Sequence, residues 1–208
     1  MSVRIAKSAG FCFGVSRAVE LVEQAAQSGK KVATLGPIIH NRHVVHKFES
    51  MGVRVIETPE EAPEGATVII RSHGVSRDVV QRLEKQGVEI IDATCPFVKR
   101  IHGIVSRAEE EGRLPVIIGT RTHPEVEGIA GWCSNCKIFE TPEEVADWAA
   151  SGEIQKNSAI CIVSQTTSTE SLWKSCVQNA KKEFTNLKIF DTICRATEYR
   201  QSEAAELS

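Results

Sequence analysis

The sequence lacks any long apolar run, and this absence limits the kinds of protein it can encode. No stretch approaches the roughly 20 consecutive apolar residues that a helix needs to cross a bilayer. The first residues carry no apolar core of a secretory signal, and low-complexity segments and long linkers are missing. We therefore expect a cytoplasmic globular protein with no membrane partner.

The sequence also has little net charge. Its 25 Lys and Arg residues nearly balance its 27 Asp and Glu residues, which leaves a formal charge of −2 at pH 7. Proteins that bind nucleic acid or an anionic membrane mainly through charge carry a strong basic excess. The balance therefore gives no reason to expect either partner.

Cysteine, in contrast, is plentiful. The chain has seven cysteines, an odd number that cannot be paired completely in disulfides. In addition, the cytoplasm keeps thiols reduced. Metal ligation, redox chemistry and plain burial are the roles that remain open.

Three of the cysteines occupy equivalent places in duplicated segments. The segment I-I-D-A-T-C, which ends at Cys95, recurs as I-F-D-T-I-C, which ends at Cys194. The separation along the chain between Cys12 and Cys95 recurs between other repeated features. The same offset relates His40 to His123, and the segment V-I-E-T-P-E-E to I-F-E-T-P-E-E. A lone cysteine is most often a small buried hydrophobe, but three at repeated positions favour a shared metal site.

Short apolar runs alternate with helical patterns, which predicts an α/β fold of repeated small units with mostly parallel sheets. Strands are predicted at residues 32–35, 53–56, 67–71, 88–91, 115–119, 137–139, 159–163 and 187–190. Helices are predicted at residues 15–26, 79–83, 96–111, 142–150 and 168–184. Ser76 is a predicted helix cap, and Thr167 with Glu170 has the spacing of a capping box.

The repeat divides the chain into two predicted units, residues 14–95 and residues 96–194. The two ends, residues 1–13 and 195–208, fit neither unit. A whole unit follows each of the first two repeated cysteines, whereas the chain stops soon after Cys194. We therefore expect the ends to be remnants of an incomplete third unit, with residues 3–6 as a strand.

Each repeated cysteine is predicted to come at the end of a strand and just before a helix. Ligands of parallel α/β sheets bind at the carboxyl ends of the strands, and a helix N-terminus favours the thiolate that metals bind. Gly10 and Gly14 flank Cys12 and leave space for a bulky group. Three thiolates are one short of a closed zinc site or a four-cysteine cluster, so the predicted metal site keeps an open position.

Histidines also follow predicted strands at this edge. His40, His73 and His123 each come after a strand, which favours an anion site because imidazoles donate hydrogen bonds to phosphate oxygens. A single loop histidine is more often a solvated bystander. Three further histidines lie on predicted helices and are assigned no role: His43, His46 and His102.

Two more residues at the same edge are candidates for the chemistry. Glu125 lies two residues after His123, and beside a bound anion its pKa would rise enough for it to donate a proton. Thr166 follows a strand of the second unit. Either it binds a substrate hydroxyl group or it only begins the next helix.

The remaining cysteines are assigned weaker roles. Cys133 and Cys136 form a C-x-x-C pair, for which zinc binding or dithiol chemistry is conceivable, but no second pair follows. Cys161 lies in a predicted strand and Cys176 in a predicted helix. Both are expected to be packing residues.

These motifs resemble the 4-hydroxy-3-methylbut-2-enyl diphosphate reductase family along nearly the whole chain and in family order. The matching segments are 10–15 (G-F-C-F-G-V), 40–42 (H-N-R), 72–76 (S-H-G-V-S), 92–96 (D-A-T-C-P), 123–128 (H-P-E-V-E-G), 165–167 (Q-T-T) and 194–197 (C-R-A-T). The resemblance implies a trefoil of three α/β units around an iron–sulfur cluster. It also implies the last reaction of the non-mevalonate isoprenoid pathway, a reductive dehydroxylation that yields isopentenyl and dimethylallyl diphosphates.

The resemblance also implies residue roles and partners. Cys12, Cys95 and Cys194 would hold a [4Fe–4S] cluster with one iron free of cysteine. His40, His73 and His123 would line the diphosphate pocket. Glu125 would deliver protons, with Thr166 orienting it and the substrate hydroxyl group. Electrons would come from a donor such as ferredoxin or flavodoxin.

The sequence departs from the family pattern at its end, because the third unit and its diphosphate-binding serine and asparagine residues are missing. We expect this form to bind substrate poorly and to expose an apolar face. Two alternatives remain open at this point: a non-catalytic iron–sulfur or zinc regulatory protein, and a dithiol oxidoreductase that uses Cys133 and Cys136.

Overall fold

A computed structural model describes residues 3–207, apart from the side chains of Thr197 and Gln201, and contains two parallel β-sheets of four strands each. The first sheet comprises β1 (Val32–Leu35), β2 (Arg54–Ile56), β3 (Thr67–Ile70) and β4 (Glu89–Asp92). The second comprises β5 (Leu114–Ile118), β6 (Lys137–Phe139), β7 (Ile160–Ser164) and β8 (Leu187–Ile189). The predicted α/β class with parallel sheets is confirmed.

Helices connect the strands as parallel pairing requires. Those of the first half are α1 (Phe13–Ala26), α2 (Arg42–Ser50) and α3 (Arg77–Lys85), with a 3-10 turn at Pro59–Glu61. Those of the second half are α4 (Pro96–Glu110), α5 (Pro124–Ala130), α6 (Pro142–Ala150), α7 (Glu170–Glu183) and the terminal α8 (Ala196–Leu207). None of the helices in residues 3–207 combines the length and the apolar character needed to traverse a bilayer.

The two sheets have equivalent strand orders. The first runs β2-β1-β3-β4 and the second β6-β5-β7-β8, and every ladder is parallel. The sequence repeat therefore corresponds to a repeat of topology. The boundaries of the units at residues 14–95 and 96–194 stay a prediction.

Each sheet is covered on both faces, because alternate strand residues point to opposite sides. In the first sheet one apolar cluster joins Val32 and Ile69 to α1 and α2, and another joins Val68 to Leu83 of α3. In the second sheet Ile117 packs towards α4 and α5, and Val116 packs towards α6 and α7. The helices on both faces bury the strands. The loops at the carboxyl ends of the strands remain available for functional side chains.

The structure corrects several local predictions. Residues 3–6 are not a strand, and Val3 and Ile5 are exposed because no neighbouring strand pairs with them in the described chain. The cap of α7 is Thr169, whose hydroxyl accepts from the Leu172 amide, and not Thr167. Most predicted strands differ from the observed strands by one residue at an end, which is the usual uncertainty of strand ends. The cap at Ser76 is confirmed.

Candidate active site

Cys12, Cys95 and Cys194 line one cavity of about 160 Å³. Cys12 is the N-cap of α1 and Cys95 the N-cap of α4, whereas Cys194 lies in the segment between β8 and α8. The cavity also contains Glu125, Thr166 and His73 in its wall. Six of the eight predicted site residues therefore share a single cavity.

Backbone hydrogen bonds hold the cysteine-bearing segments to neighbouring strand ends. The Cys95 amide donates to the Ser72 carbonyl oxygen at 2.9 Å, next to His73. The Cys194 amide donates to the Thr166 carbonyl oxygen at 2.7 Å. Cys95 and Cys194 are thus each fixed to the loop that follows the neighbouring strand of the same sheet.

Gly14 allows α1 to approach Cys95 closely. A Cβ atom at Gly14 would lie 2.5 Å from the Cys95 Sγ atom, which is closer than real contacts permit. The glycine therefore provides space at the point where the first and second cysteines meet.

The three thiols influence one another electrostatically. Burial raises the pKa of Cys95, and the charges of Cys12 and Cys194 raise it further, while amides of Phe97 and Val98 lower it. Three thiolates crowded in this way repel each other unless a cation lies among them. The site is therefore suited to metal-bound thiolates.

The three cysteines supply thiolates, the donors that iron–sulfur clusters use. Within residues 3–207 no group of three or more Cys, His, Asp or Glu side chains is placed to hold one metal ion. Ligands of one zinc ion must all lie about 2.3 Å from it, whereas cluster thiolates bind different irons and lie farther apart. The three cysteines around a shared cavity fit an iron–sulfur cluster.

His40, His73 and His123 form one group of imidazole rings. The ring centroids of His40 and His73 are 4.5 Å apart, those of His73 and His123 are 5.7 Å apart, and those of His40 and His123 are 6.1 Å apart. His40 comes from the first sheet and His123 from the second, so the group lies where the two halves meet.

Burial keeps His73 and His123 neutral, and a backbone hydrogen bond orients His123 as a donor. Burial lowers the pKa of His73 to about 3, with further lowering by His40, Arg71 and His123. Burial also lowers the pKa of His123, and the charges of His40 and Arg71 lower it further. The His123 Nδ1 atom accepts a hydrogen bond of 3.1 Å from the Glu125 amide, so in the neutral ring Nε2 carries the proton. The Nδ1 atom of His73 is buried with no partner in the described chain.

Glu125 is a buried carboxyl group bound to Thr166. Its side chain is 3% exposed, and its two oxygens accept bonds of 2.6 Å from the Thr166 amide and 2.7 Å from the Thr166 hydroxyl. Burial raises the pKa of Glu125, and the two bonds from Thr166 lower it by less. A carboxyl group with a raised pKa beside the three-cysteine cavity can serve as an acid.

The other cysteines lie outside this cavity. Cys161 and Cys176 are each 1% exposed in apolar clusters, as predicted. Cys133 and Cys136 lie after α5, where their thiols interact directly and lower the pKa of Cys136. They border the apolar cluster of α4 and α5 and do not join the three-cysteine cavity.

Sequence reasoning missed the residues that join the two halves behind the histidines. The Trp132 indole donates to the Val75 carbonyl oxygen at 2.9 Å and stacks on the buried ring of His102. A Cβ atom at Gly131 would lie 2.1 Å from the Ser76 Cβ atom. Neither contact leaves a periodic signal in the sequence.

Comparisons with known proteins agree with this geometry. A model of the family described as LytB protein matches residues 3–208. The chain is 44% identical over its full length to 4-hydroxy-3-methylbut-2-enyl diphosphate reductase of Thermoanaerobacter sp. (strain X514), and 40% identical to that of Aquifex aeolicus (strain VF5). It spans 72% and 71% of these two relatives.

Solved structures give the same result. A structure of (E)-4-hydroxy-3-methyl-but-2-enyl diphosphate reductase, the terminal enzyme of the non-mevalonate pathway, has a TM-score of 0.84 and 41% identity. It aligns with 99% of this chain, over 72% of its own length. The Plasmodium falciparum reductase has a TM-score of 0.85 and 31% identity, over 93% of this chain and 61% of its own. With a family model that matches nearly every residue and relatives of this similarity, the chain belongs to the LytB protein family.

Proposed function

We propose that the chain is an iron–sulfur reductase that converts 4-hydroxy-3-methylbut-2-enyl diphosphate to isopentenyl and dimethylallyl diphosphates. The observation that carries the proposal is the cavity that three cysteines share with a buried carboxyl group. Relatives named as reductases favour this reaction over a regulatory role. The reaction is the last step of the non-mevalonate isoprenoid pathway.

Cys12, Cys95 and Cys194 would hold a [4Fe–4S] cluster with one iron not bound by cysteine. Such a cluster supplies reducing electrons and a Lewis-acidic position for the leaving hydroxyl oxygen. The proximity of the thiols to one another supports this assignment, since bound metal relieves their mutual repulsion.

His40, His73 and His123 would bind the diphosphate. The orientation of His123, with its Nδ1 atom accepting a backbone bond, leaves Nε2–H to donate to a phosphate oxygen. The short ring separations allow the three side chains to reach one anionic group. The place of His73 in the wall of the cavity would anchor the diphosphate there while the hydroxyl end extends inward.

Glu125 would donate the proton, and Thr166 would orient it. The raised pKa keeps this carboxyl group protonated to a higher pH than an exposed glutamate. Its two bonds to Thr166 fix the direction of the acid. Overall, two electrons and two protons enter, the C–O bond to the hydroxyl group breaks, and water leaves.

The proposal includes a cytoplasmic location and an electron donor such as ferredoxin or flavodoxin. A test is an anaerobic assay of the chain reconstituted with iron and sulfide, using a chemical one-electron reductant so that no donor is assumed. Formation of both isoprenoid diphosphates supports the proposal. A chain that holds the cluster and leaves the substrate unchanged even at a substrate concentration high enough to offset weak binding would contradict it.

A further inference from the structure

Arg71 has an environment unlike that of the other arginines. It follows β3 and precedes the loop that carries His73, and its side chain is half-buried. The guanidinium lies over Gly36, where a Cβ atom would be 2.7 Å from Nη1. Gly36 has a φ of 72°, so glycine is favoured at this position for its backbone as well.

The guanidinium lacks a direct counter-ion in the described part of the chain. Its Nε atom is buried without a hydrogen-bond partner. Glu57 and Glu127 border the same cavity of about 200 Å³ and favour the charged form from a distance, but neither reaches the 4.0 Å of an ion pair. A partly buried cation without a direct partner is costly, so a bound anion close to Arg71 would stabilise it.

The charge of Arg71 acts on the three-histidine group. Arg71 lies two residues before His73 and borders a cavity with Pro124, which follows His123 directly. Its charge also contributes to the low pKa of both histidines. Neutral imidazoles donate hydrogen bonds to a diphosphate but carry no charge to balance it. The pocket therefore needs a fixed cation, and Arg71 lies beside it.

We propose that Arg71 is a positioning residue that supplies the fixed positive charge of the three-histidine pocket and so favours a diphosphate there. This inference rests on the proposed function. The guanidinium acts through space, and the imidazoles make the contacts. A purely structural alternative is that Arg71 only balances Glu57 and Glu127 across their shared cavity.

The test measures binding of radiolabelled inorganic pyrophosphate to the full reconstituted chain by anaerobic equilibrium dialysis. Arg71→Met removes the charge and keeps the apolar stem, whereas Arg71→Lys keeps the charge. Arg71→Gln is a second neutral variant in case the first does not fold. Arg82→Met is the matched control, since Arg82 is exposed on α3 and paired with Glu60.

We expect the neutral variants to bind pyrophosphate about tenfold more weakly, Arg71→Lys within about threefold of the parent chain, and Arg82→Met unchanged. Neutral variants that bind as the parent does would overturn the inference and leave the proposed function standing. Equal weakening by Arg71→Lys and Arg71→Met would overturn it too, because packing and not charge would then matter. If the parent chain binds no pyrophosphate, that result would contradict the assignment of the three histidines to a diphosphate pocket, and the inference about Arg71 with it.

Discussion

Burial of the Glu125 carboxyl group decides the pH range in which it can donate a proton. The folded-state pKa lies above the ordinary value, because burial outweighs the two hydrogen bonds from Thr166. The protonated acid is therefore retained as the pH rises beyond the point where an exposed glutamate ionises, and it is lost above the raised pKa. A reaction that needs this proton should slow as the pH rises above that raised pKa.

Glu125→Gln should lose turnover by about 100-fold or more while it keeps the cluster, because an amide fills the space but cannot donate an acidic proton. The measurement is the steady-state rate of turnover, together with the iron content of each variant. Glu143→Gln is the matched control, since Glu143 is exposed on α6 and does not line the three-cysteine cavity. Equal rates for the two variants would rule out Glu125 as the acid.

Thr166→Val should shift the alkaline limb of the pH–rate profile to higher pH. The lost hydroxyl bond stabilises the carboxylate, so its removal raises the pKa of Glu125 further and the acid stays protonated longer. Thr167→Val serves as control, because the Thr167 hydroxyl bonds Gln165 and not the acid. A shift towards lower pH, or none, would contradict the assigned hydrogen bond.

Replacing Cys133 and Cys136 together with serine should leave turnover within about twofold of the parent, because neither thiol lines the three-cysteine cavity. The assay is the same reductive turnover, with iron content checked beside it. Loss of activity with the cluster intact would favour the dithiol alternative.

The residues that sequence analysis could find are those that are repeated or belong to recognisable motifs. Cys95 and Cys194 end matching segments, and His40 and His123 share an offset, so duplication made them visible. Arg71 carries no such signal. Its significance depends on burial against Gly36 and on a missing partner, and both depend on three-dimensional packing.

At the scale of elements, the approach of two helix N-termini builds the site. Both α1 and α4 begin at a cysteine, and Gly14 lets the first turn of α1 lie against the Cys95 sulfur. Helix N-termini present free amides that stabilise thiolates. The packing of these two helices is therefore part of the proposed metal site.

Gly14→Ala should lower the iron and sulfide bound per chain, since the added methyl group would overlap the Cys95 sulfur. Gly103→Ala is the matched control: Gly103 lies within α4, and its Cβ atom would meet no atom within 4 Å. That control should retain its metal and gain up to about 1 kcal/mol of stability. Full metal content in Gly14→Ala would contradict the close approach.

The elements were easier to predict than their ends. Buried parallel strands read as short apolar runs, and α6 matches its prediction because Pro142 follows the cap residue Thr141. The short α5 was missed because it spans only two turns. Residues 3–6 were misread as a strand, because an apolar run alone does not provide a partner to pair with.

At the scale of the whole molecule, two similar halves meet at their functional edges. The histidine group combines His40 and His73 of the first half with His123 of the second. The cavity combines Cys12 and Cys95 with Cys194 in the same way. Duplication in the sequence predicted a shared site, but the contacts that bring the halves together could be learned only from the structure.

The most direct test of the account is the iron and sulfide content of the anaerobically reconstituted chain, with an electron paramagnetic resonance spectrum of the reduced protein. The account predicts about four irons and four sulfides per chain, with loss in each of Cys12→Ser, Cys95→Ser and Cys194→Ser but not in Cys176→Ser. A Cys194→Ser chain that keeps the parent's metal content and spectrum would contradict it.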